Sequence, residues 1–555
     1  MASGECKGQR VLGLPRGRPK ALGAREGLRR LAAIKQELGQ CRLWMRSPRV
    51  ALGRLAKAHD QFEELMYSGD IERGRCLSIL LELSSLQIDA ASVVQDADQI
   101  NLGLTWAQEV MDSEDSAAED RDLAAFNVAN GLTDIHYMGW TKHRAQPATN
   151  ASLKRAPFRL AERQTLRRTR SLNATAANSP HLDGRGRSTA LCNLGNSLDE
   201  SGRWVEAYQC YADALEADPT NGNAAGNAAE LLRRRIIRGQ GLLGHYGAVY
   251  DKYVRKAHEL RDHTVAIAGE ATARRWDALE LTESPGHISH EGNAYNEYQQ
   301  WIKEHRLALA LAVEGMGSDE PRWDSASLGG IRVRAGEPDP PLIFSSMNVL
   351  KAEFLTVRRL AFHGETMLMD SLYSQHPEDT GSYADTLDYS LYGEPPAMLI
   401  LAQRASLDLL DKIAVAANEH FRTGLNPDQI SFRNYWFDRG SGAVRPKLPK
   451  PVDGHGMAIA LAELSYDIGP EGLYPAAQTL RNAGTHRLVH LTHGHPTGVT
   501  EGTHSTVDYW DLIHACHESL RVARSAFIYL IDLIGEGELA HGSESLISLP
   551  LPNQI

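Results

Sequence analysis

The sequence predicts an all-α protein in which an array of short helices precedes a separate helical bundle. Between about residues 52 and 253, apolar residues recur at intervals of three and four, glycines fall between the blocks, and β-branched runs are rare. A stretch rich in glycine and proline follows at 329–341 and has the composition of a linker. The helical patterns after it lie at 348–362, 394–421 and 505–534, with shorter ones near 457–467 and 475–491.

These patterns divide the chain into regions of different character. Glycine and proline mark the change from the array to the bundle, so we place a domain boundary just after the linker. The predicted regions are a basic flexible arm at 1–50, helical repeats at 51–250, a helical connector with a Gly/Pro-rich linker at 251–345, a bundle at 346–540 and a tail at 541–555.

Composition is typical of a soluble chain with more than one core. The chain has 555 residues, of which 42% are hydrophobic and 23% charged. The longest uncharged apolar run, 307–313, covers about a third of the ~20 residues that a membrane-spanning helix needs. The chain has six cysteines and no two of them form a close pair, which argues against a disulfide framework and a cysteine zinc site. We therefore expect a cytoplasmic protein with no membrane partner.

The predicted arm carries a charge opposite to that of the rest of the chain. Residues 1–50 hold twelve Lys or Arg against three Glu, a local +9 that leaves −20 for the remainder of a chain with net charge −11. The segment is expected to become helical near 26–38. Two interpretations stay open, a solvated extension or an arm that touches nucleic acid.

Residues 188–221 fit a helix-turn-helix repeat of 34 residues. Gly195 and Ala207 are small where two helices would cross closely, Tyr211 would fill the groove between repeats, and Pro219 would end the second helix. The stretch resembles a tetratricopeptide repeat. Because one such unit cannot bury its own apolar face, we expect three or four repeats, most of them degenerate, that bind a protein partner.

A row of arginines lies within the repeat region. Arg155, Arg159, Arg163 and Arg167 are spaced by four, which would place most of them along one helix face. Such a row could follow a phosphate backbone or an acidic partner. The alternative is a solvent-exposed helix face whose positive charge balances the acidic cluster at 112–122.

The segment Arg481-Asn482-Ala-Gly-Thr-His486 has the form Arg-Asn-x-x-x-His and follows Pro475, a plausible first residue of a helix. Four other segments carry the same likeness: 348–354, 386–389, 410–414 and 431–434. Together they resemble the HEPN superfamily, and more narrowly its branch in which the domain follows tetratricopeptide-like repeats, grouped with abortive-infection and conflict proteins.

The resemblance implies a four- or five-helix bundle that pairs as a homodimer and often cleaves RNA without a metal. Attack by the ribose 2′-hydroxyl would leave a 2′,3′-cyclic phosphate. His486 would move a proton near neutral pH, and Arg481 would hold the phosphate charge that grows in the transition state. Asn482 would orient one of them or bind phosphate, and Asp411 would hold Arg481 in place.

The spacing of this motif is weak evidence by itself. An offset of five turns a helix by about 140° beyond a full turn, so Arg481 and His486 converge only if the helix start is irregular or two subunits contribute. Arg358 and His363 show the same spacing in another helical pattern. Thr485 stands where relatives of this branch tend to have an acidic residue.

Seven histidines lie between 486 and 517. His486 and His490 would share a helix face and could bind zinc, but Arg487 takes the position of the glutamate in H-E-x-x-H. Solvated histidines that meet RNA phosphate are the alternative. We expect no metal and no cofactor, and the sequence has no P-loop, dinucleotide fingerprint or G-x-S-x-G elbow.

The leading hypothesis is a HEPN endoribonuclease in a defence or toxin-like role, with RNA as substrate and a trigger or partner bound by the repeats. The alternative is a non-catalytic interaction protein that acts as an adaptor or regulator. A repeat-based transcriptional regulator is a weaker third idea, because no helix-turn-helix recognition segment is legible.

Overall fold

A computed structural model gives the fold. The residues that it describes are 23–68, 70–144, 160–237, 243–283, 295–310, 321–329, 331–334, 341–370, 375–387, 390–438, 445, 457–475, 477, 480, 488–493, 500–501, 504–540 and 546–549. Most of these residues are helical and the strands are short, which confirms the all-α prediction.

The chain divides into two compact units. The first comprises residues 1–147 and 178–183, and the second comprises 148–177 and 184–555. A compact unit can contain more than one sequence region, so the predicted region boundaries stay predictions.

The first unit is built from consecutive helices around an apolar core. These are α1 (Ala24–Leu43), α2 (Pro48–Ser68), α3 (Arg73–Val94), α4 (Ala97–Asp112) and α5 (Ala118–Arg144). The helix expected near 26–38 is α1, and it buries Leu31, Ile34 and Leu38 in this core. Their spacing of three and four gives α1 an apolar stripe, so residues 24–43 of the predicted arm form a packed helix rather than a flexible segment. Residues 1–22 lie outside the described part of the chain.

Helix α3 is long and apolar enough to cross a membrane by length and composition. Ten of its apolar residues and Ser84 and Gln87 supply buried positions around the helix, and α2, α4 and α5 pack against it. A helix that is apolar on all sides and covered by neighbours is also what the centre of a globular core requires.

The second unit contains the repeat that the sequence predicted. Its helices are α6 (Leu160–Ala177), α7 (Gly184–Glu200), α8 (Trp204–Ala217), α9 (Gly222–Ile237), α10 (Leu243–Glu259), α11 (Arg261–Asp277) and α12 (Glu297–Glu304). A Cβ on Gly195 of α7 would lie 2.6 Å from the Tyr211 ring of α8 and 3.2 Å from the Ala207 carbonyl. The close crossing therefore needs the small residues. Tyr211 packs against Gly195 within this repeat, and its hydroxyl donates to Asn196 Oδ1 at 3.0 Å. Its expected place in the groove between repeats stays a prediction.

The bundle follows in the same unit. It comprises α13 (Leu342–Asp370), α14 (Glu394–His420), α15 (Phe432–Trp436), α16 (Met457–Asp467) and α17 (Tyr509–Ala540). Helices α13, α14 and α17 pack on one another, and α16 packs on α17. One continuous apolar core extends from the repeat helices through the connector into the bundle.

The start of α14 shows how its sequence signal works. Gly393 adopts φ 127°, and the Asp379 carboxylate accepts from the backbone N–H of Glu394 at 2.9 Å and of Gly381 at 2.9 Å. Pro395 and Pro396 follow in the first turn, where their missing N–H groups cost nothing. The predicted helix 394–421 is confirmed nearly to the residue.

Short strands flank the bundle. They are β1 (Ile331–Arg334), β2 (Ser390–Leu391), β3 (Leu488–Thr492), β4 (Thr500–Glu501), β5 (His504–Asp508) and β6 (Leu546–Leu549). Strands β1 and β6 pair antiparallel, and the other four form a sheet of order β2-β3-β5-β4 in which β3 and β5 are parallel.

The strands correct two helix predictions. The pattern at 475–491 was expected to stay helical to its end, but residues from Leu488 onward form β3. The pattern at 505–534 begins as β5, and helix α17 starts only at Tyr509. Both segments contain β-branched residues, which favour strands, and pairing between the two strands overrides the weak helical signal.

Candidate functional site

Arg481, Asn482 and His486 lie outside the described residues, which frame them on both sides. On one side, Ala477 is buried and its carbonyl accepts from Gln403 Nε2 of α14 at 2.9 Å. Leu480 packs against the apolar core. On the other side, β3 begins at Leu488. The segment that carries the motif is therefore held at both ends by the bundle and its sheet.

Asp411 lies in the middle of α14, as expected, and its described contact is with the backbone. Its Oδ1 accepts from the N–H of Phe432 at 2.7 Å and so caps the start of α15. The expected role of Asp411 toward Arg481 stays a prediction. The neighbouring Lys412 lies at 2.7 Å from both carboxylate oxygens of Glu353 on α13.

Arg358 and His363, which repeat the motif's spacing, do not form a site. Arg358 is buried and makes two bonds of 2.8 Å to the Asp324 carboxylate and one of 2.9 Å to the Leu307 carbonyl. His363 is exposed on the other side of α13. This pair shows how an offset of five separates two side chains on a regular helix.

A cluster of polar rings lies on the sheet just after the motif. His490 of β3 meets the Tyr392 hydroxyl through Nδ1 at 3.0 Å and meets His504 of β5 through Nε2. We call Tyr392, His490 and His504 the sheet cluster. His490 lies on a strand rather than on the helix that sharing a face with His486 would need, and His486 lies outside the described residues.

Further aromatic and imidazole rings stand at the start of α17. Trp510 is 46% exposed, and its ring lies 6.4 Å from that of His514 and 4.8 Å from that of Tyr509. Exposed rings of this kind offer faces on which unpaired bases stack, and imidazoles offer donors to phosphate. The sequence analysis identified the histidines but missed Tyr392, whose link to them comes only from the pairing of β2 with β3.

The predicted arginine row has another role in the part that the structure describes. Arg167 of α6 forms bonds of 2.9 and 2.8 Å to the two oxygens of Glu463 on α16, and its guanidinium lies 3.6 Å from the centroid of the Tyr466 ring. Neither expectation, a phosphate track or a solvated face, is correct for Arg167. Arg155 and Arg159 lie outside the described residues.

Arg167 belongs to a buried arginine network that joins the repeat helices to the bundle. Arg170 binds Glu463 at 2.8 Å and Asp467 at 3.2 Å, and Arg203, at the start of α8, binds Asp467 and Glu206. We use this name for Arg167, Arg170, Arg203, Glu206, Glu463 and Asp467.

Two carboxylates of this network, Glu463 and Glu206, are held in their charged form. Burial alone would raise the pKa of Glu463, but Arg170 and Arg167 hold it below the ordinary value. Burial opposes and Arg203 lowers the pKa of Glu206 in the same way. The network therefore consists of charges that are buried but paired.

The network reaches Tyr474, which directly precedes Pro475. The Tyr474 hydroxyl donates to Glu206 Oε1 at 2.6 Å. Arg203 also donates to the Tyr474 hydroxyl, at 3.4 Å, so two hydrogen bonds link the start of α8 to the segment that leads to Arg481. A signal for the network was present in the sequence, since Glu463 and Asp467 lie four apart in an otherwise apolar helix, but their partners are almost 300 residues away.

Comparison with protein families agrees with this architecture. Residues 335–537 match the family model described as LA2681-like HEPN, and residues 188–221 match that of the tetratricopeptide repeat. Neither a curated protein nor a solved structure matches the chain. The first range covers the bundle helices from α13 to all but the last turn of α17, and the second covers α8 and most of α7. The chain thus carries a C-terminal LA2681-like HEPN domain and a tetratricopeptide repeat, which indicate an RNA-related role and a protein-interaction role.

Proposed function

We propose that the protein is a metal-independent endoribonuclease of HEPN type. Arg481 and His486 are the catalytic residues, Asn482 orients them or binds phosphate, and Asp411 has the secondary role of holding Arg481. The observation that carries this proposal is that the HEPN match at 335–537 encloses the Arg-Asn-x-x-x-His segment.

The chemistry needs no cofactor. A histidine has its ordinary pKa near 6.5 and can take the proton of the ribose 2′-hydroxyl or return one to the leaving oxygen. An arginine beside the phosphate stays charged and stabilises the growing negative charge. The rings of the sheet cluster and of Trp510 support the proposal, because they suit single-stranded RNA and because His490, His504 and Trp510 lie on elements that follow the motif.

The test is cleavage of single-stranded RNA by the full-length protein in EDTA. We expect products with 2′,3′-cyclic phosphate ends, and His486→Ala should lower the rate by about 100-fold or more, since general acid–base catalysis contributes on that order. The matched control is His363→Ala, which removes the histidine of the other Arg-x-x-x-x-His pair and should leave the rate unchanged. Intact RNA across several substrates with wild-type protein would contradict the proposal.

In the cell, we propose a cytoplasmic role in defence or toxicity, with a homodimer formed through the HEPN domain and a trigger or partner bound by the repeats. Inducible expression should then slow growth, and Arg481→Ala should relieve the effect. Light scattering of the purified protein should give the mass of two chains.

The second candidate is a non-catalytic adaptor. Thr485, in place of an acidic residue, and the tetratricopeptide match favour it. Under this alternative, wild-type expression is harmless and RNA stays intact.

A further inference from the structure

Three potential metal ligands from distant parts of the second unit converge on one point. His305 follows α12, Glu365 lies on α13 and His517 lies on α17. One ligand atom of each lies within 4.8 Å of the others. The rings of His305 and His517 have centroids 3.9 Å apart.

The carboxylate is oriented and still has coordinating capacity. Glu365 Oε2 accepts from Trp301 Nε1 at 2.9 Å and lies 2.6 Å from His517 Nε2. Neither contact uses Oε1. A neutral residue that fixes a carboxylate in this way is typical of the outer shell around metal ligands.

The surroundings keep bulk water away from the three groups. The side chain of His517 is 7% exposed and that of Glu365 is 18% exposed. The Trp301 ring lies 5.5 Å from His517, 5.1 Å from His305 and 5.7 Å from Phe362, so aromatic rings form one wall. Two further charged residues near His305, Glu304 and Arg521, carry opposite charges.

We propose that His305, Glu365 and His517 form a binding site for one divalent ion of the zinc class. Two imidazoles and one carboxylate with a fourth position for water are a recurrent zinc ligand set. With metal–nitrogen bonds of about 2.0–2.1 Å, neighbouring donor atoms in a tetrahedron lie about 3.3 Å apart. The separation between Glu365 and His517 would therefore widen by about 0.7 Å, which is within reach of a small side-chain rotation.

The ion would tie the connector to the bundle. His305 belongs to the segment between the repeats and the HEPN domain, while Glu365 and His517 belong to two bundle helices that pack on each other. This role is separate from the proposed nuclease, which works in EDTA. Loss of metal binding and loss of RNA cleavage are therefore distinguishable outcomes.

The experiment uses full-length protein that has been stripped with EDTA and exchanged into chelator-free buffer. Titration with Co²⁺ should give the visible absorption of a four-coordinate nitrogen and oxygen site at one ion per chain, and Zn²⁺ should displace it. Zn²⁺ should also raise the thermal unfolding midpoint.

Ligand variants and matched controls decide whether these three residues bind the ion. Each ligand variant should weaken Zn²⁺ binding by about 100-fold or more and abolish the rise in unfolding midpoint. The three variants are Glu365→Gln, His517→Gln and His305→Gln. His363→Gln, on the exposed side of α13, and His490→Gln, in the sheet cluster, should bind as wild type does. Circular dichroism identifies any variant that fails to fold, and the side chains of His305 and Glu365 are less buried than that of His517.

Two results would overturn the proposal. One is wild-type protein that takes up no Co²⁺ or Zn²⁺ at micromolar concentration, in which case the three groups form a hydrogen-bonded cluster only. The other is binding that is lost in His490→Gln and kept in His517→Gln, which would place the ion at the sheet cluster.

Discussion

In the first unit, arginine ion pairs lie at the surface, whereas the arginine network of the second unit is buried. Arg42 binds Glu82 at 2.9 Å with its side chain 63% exposed, and Arg73 and Arg75 are equally exposed beside Asp115 and Glu72. These partners are near in sequence, and the core between the helices is apolar.

Arg170 in the second unit is fully buried, and so is its partner Glu463, which lies 293 residues further along the chain. The same pattern recurs at Arg235 of α9, which binds Asp532 of α17 at 2.6 and 2.8 Å while its guanidinium lies 3.7 Å from the Trp204 ring centroid.

Exposed and buried ion pairs differ in how strongly they fix the arrangement of the helices that they join. An exposed pair contributes about 0–1 kcal/mol and leaves the neighbouring helices free to shift. A buried pair gains little net energy over apolar packing, but any arrangement that leaves one partner alone is strongly penalised. The buried pairs therefore favour one packing arrangement of the repeat helices against the bundle.

The largest expected effect is that of Arg170→Met. This change leaves Glu463 and Asp467 buried with fewer cations, so we expect the free energy of unfolding of the second unit to fall by about 3–5 kcal/mol. Urea denaturation followed by circular dichroism measures it. Arg42→Met is the matched control and should cost less than about 1 kcal/mol. Equal losses for the two variants would show that burial makes no difference here.

A smaller loss is expected for Asp532→Asn. The amide keeps the shape of the side chain but loses the charge that Arg235 and the Trp204 indole N–H contact. We expect a loss of about 1.5–3 kcal/mol, the usual worth of a hydrogen bond to a charged group. Leu at this position should cost more than Asn, because the arginine would then lose both polar contacts. A neutral result for both variants would argue that Arg235 is held by the indole ring alone.

The smallest effect is that of mild acid. Glu463 and Glu206 have folded pKa values below their ordinary value, so the unfolded chain binds more protons at low pH. Their contribution to stability is complete above about pH 5 and is lost as the pH falls through about 4 toward the folded values. Unfolding midpoints of wild type and Arg170→Met, measured from pH 7 to pH 4, should therefore converge. Parallel curves would exclude these carboxylates as the source of the difference.

The sequence predicts features that arise from local patterns. The start of α14 at Gly393 and the helix pair around Gly195 depend on residues within a few positions of one another, and both are confirmed. Strand β3 was missed because its pairing with β5 is a contact between distant segments, and a short, mostly apolar run cannot be assigned to a strand or a helix until its partner is known.

The candidate site divides in the same way. The histidines and the Arg-Asn-x-x-x-His spacing can be identified from the sequence, but the sequence does not show that Arg358, which shares that spacing, binds Asp324. Partners supplied by the fold were not legible. Tyr392 reaches His490 across 98 residues, and Arg167 reaches Glu463 across 296. A row of arginines spaced by four carries no information about which distant carboxylates will face it.

The distance between network partners along the chain has a consequence for synthesis. At about 5–20 residues per second, a ribosome needs about 15–60 s to pass from Arg170 to Glu463. During that interval the first unit can already form its core. The arginines of α6 and of the start of α8 have no carboxylate partners from α16 until that helix has been synthesised. Helices α6 and α8 and the segment before Arg481 would thus reach their final positions together, among the last parts of the molecule to do so. A chain that ends early would not assemble the proposed nuclease.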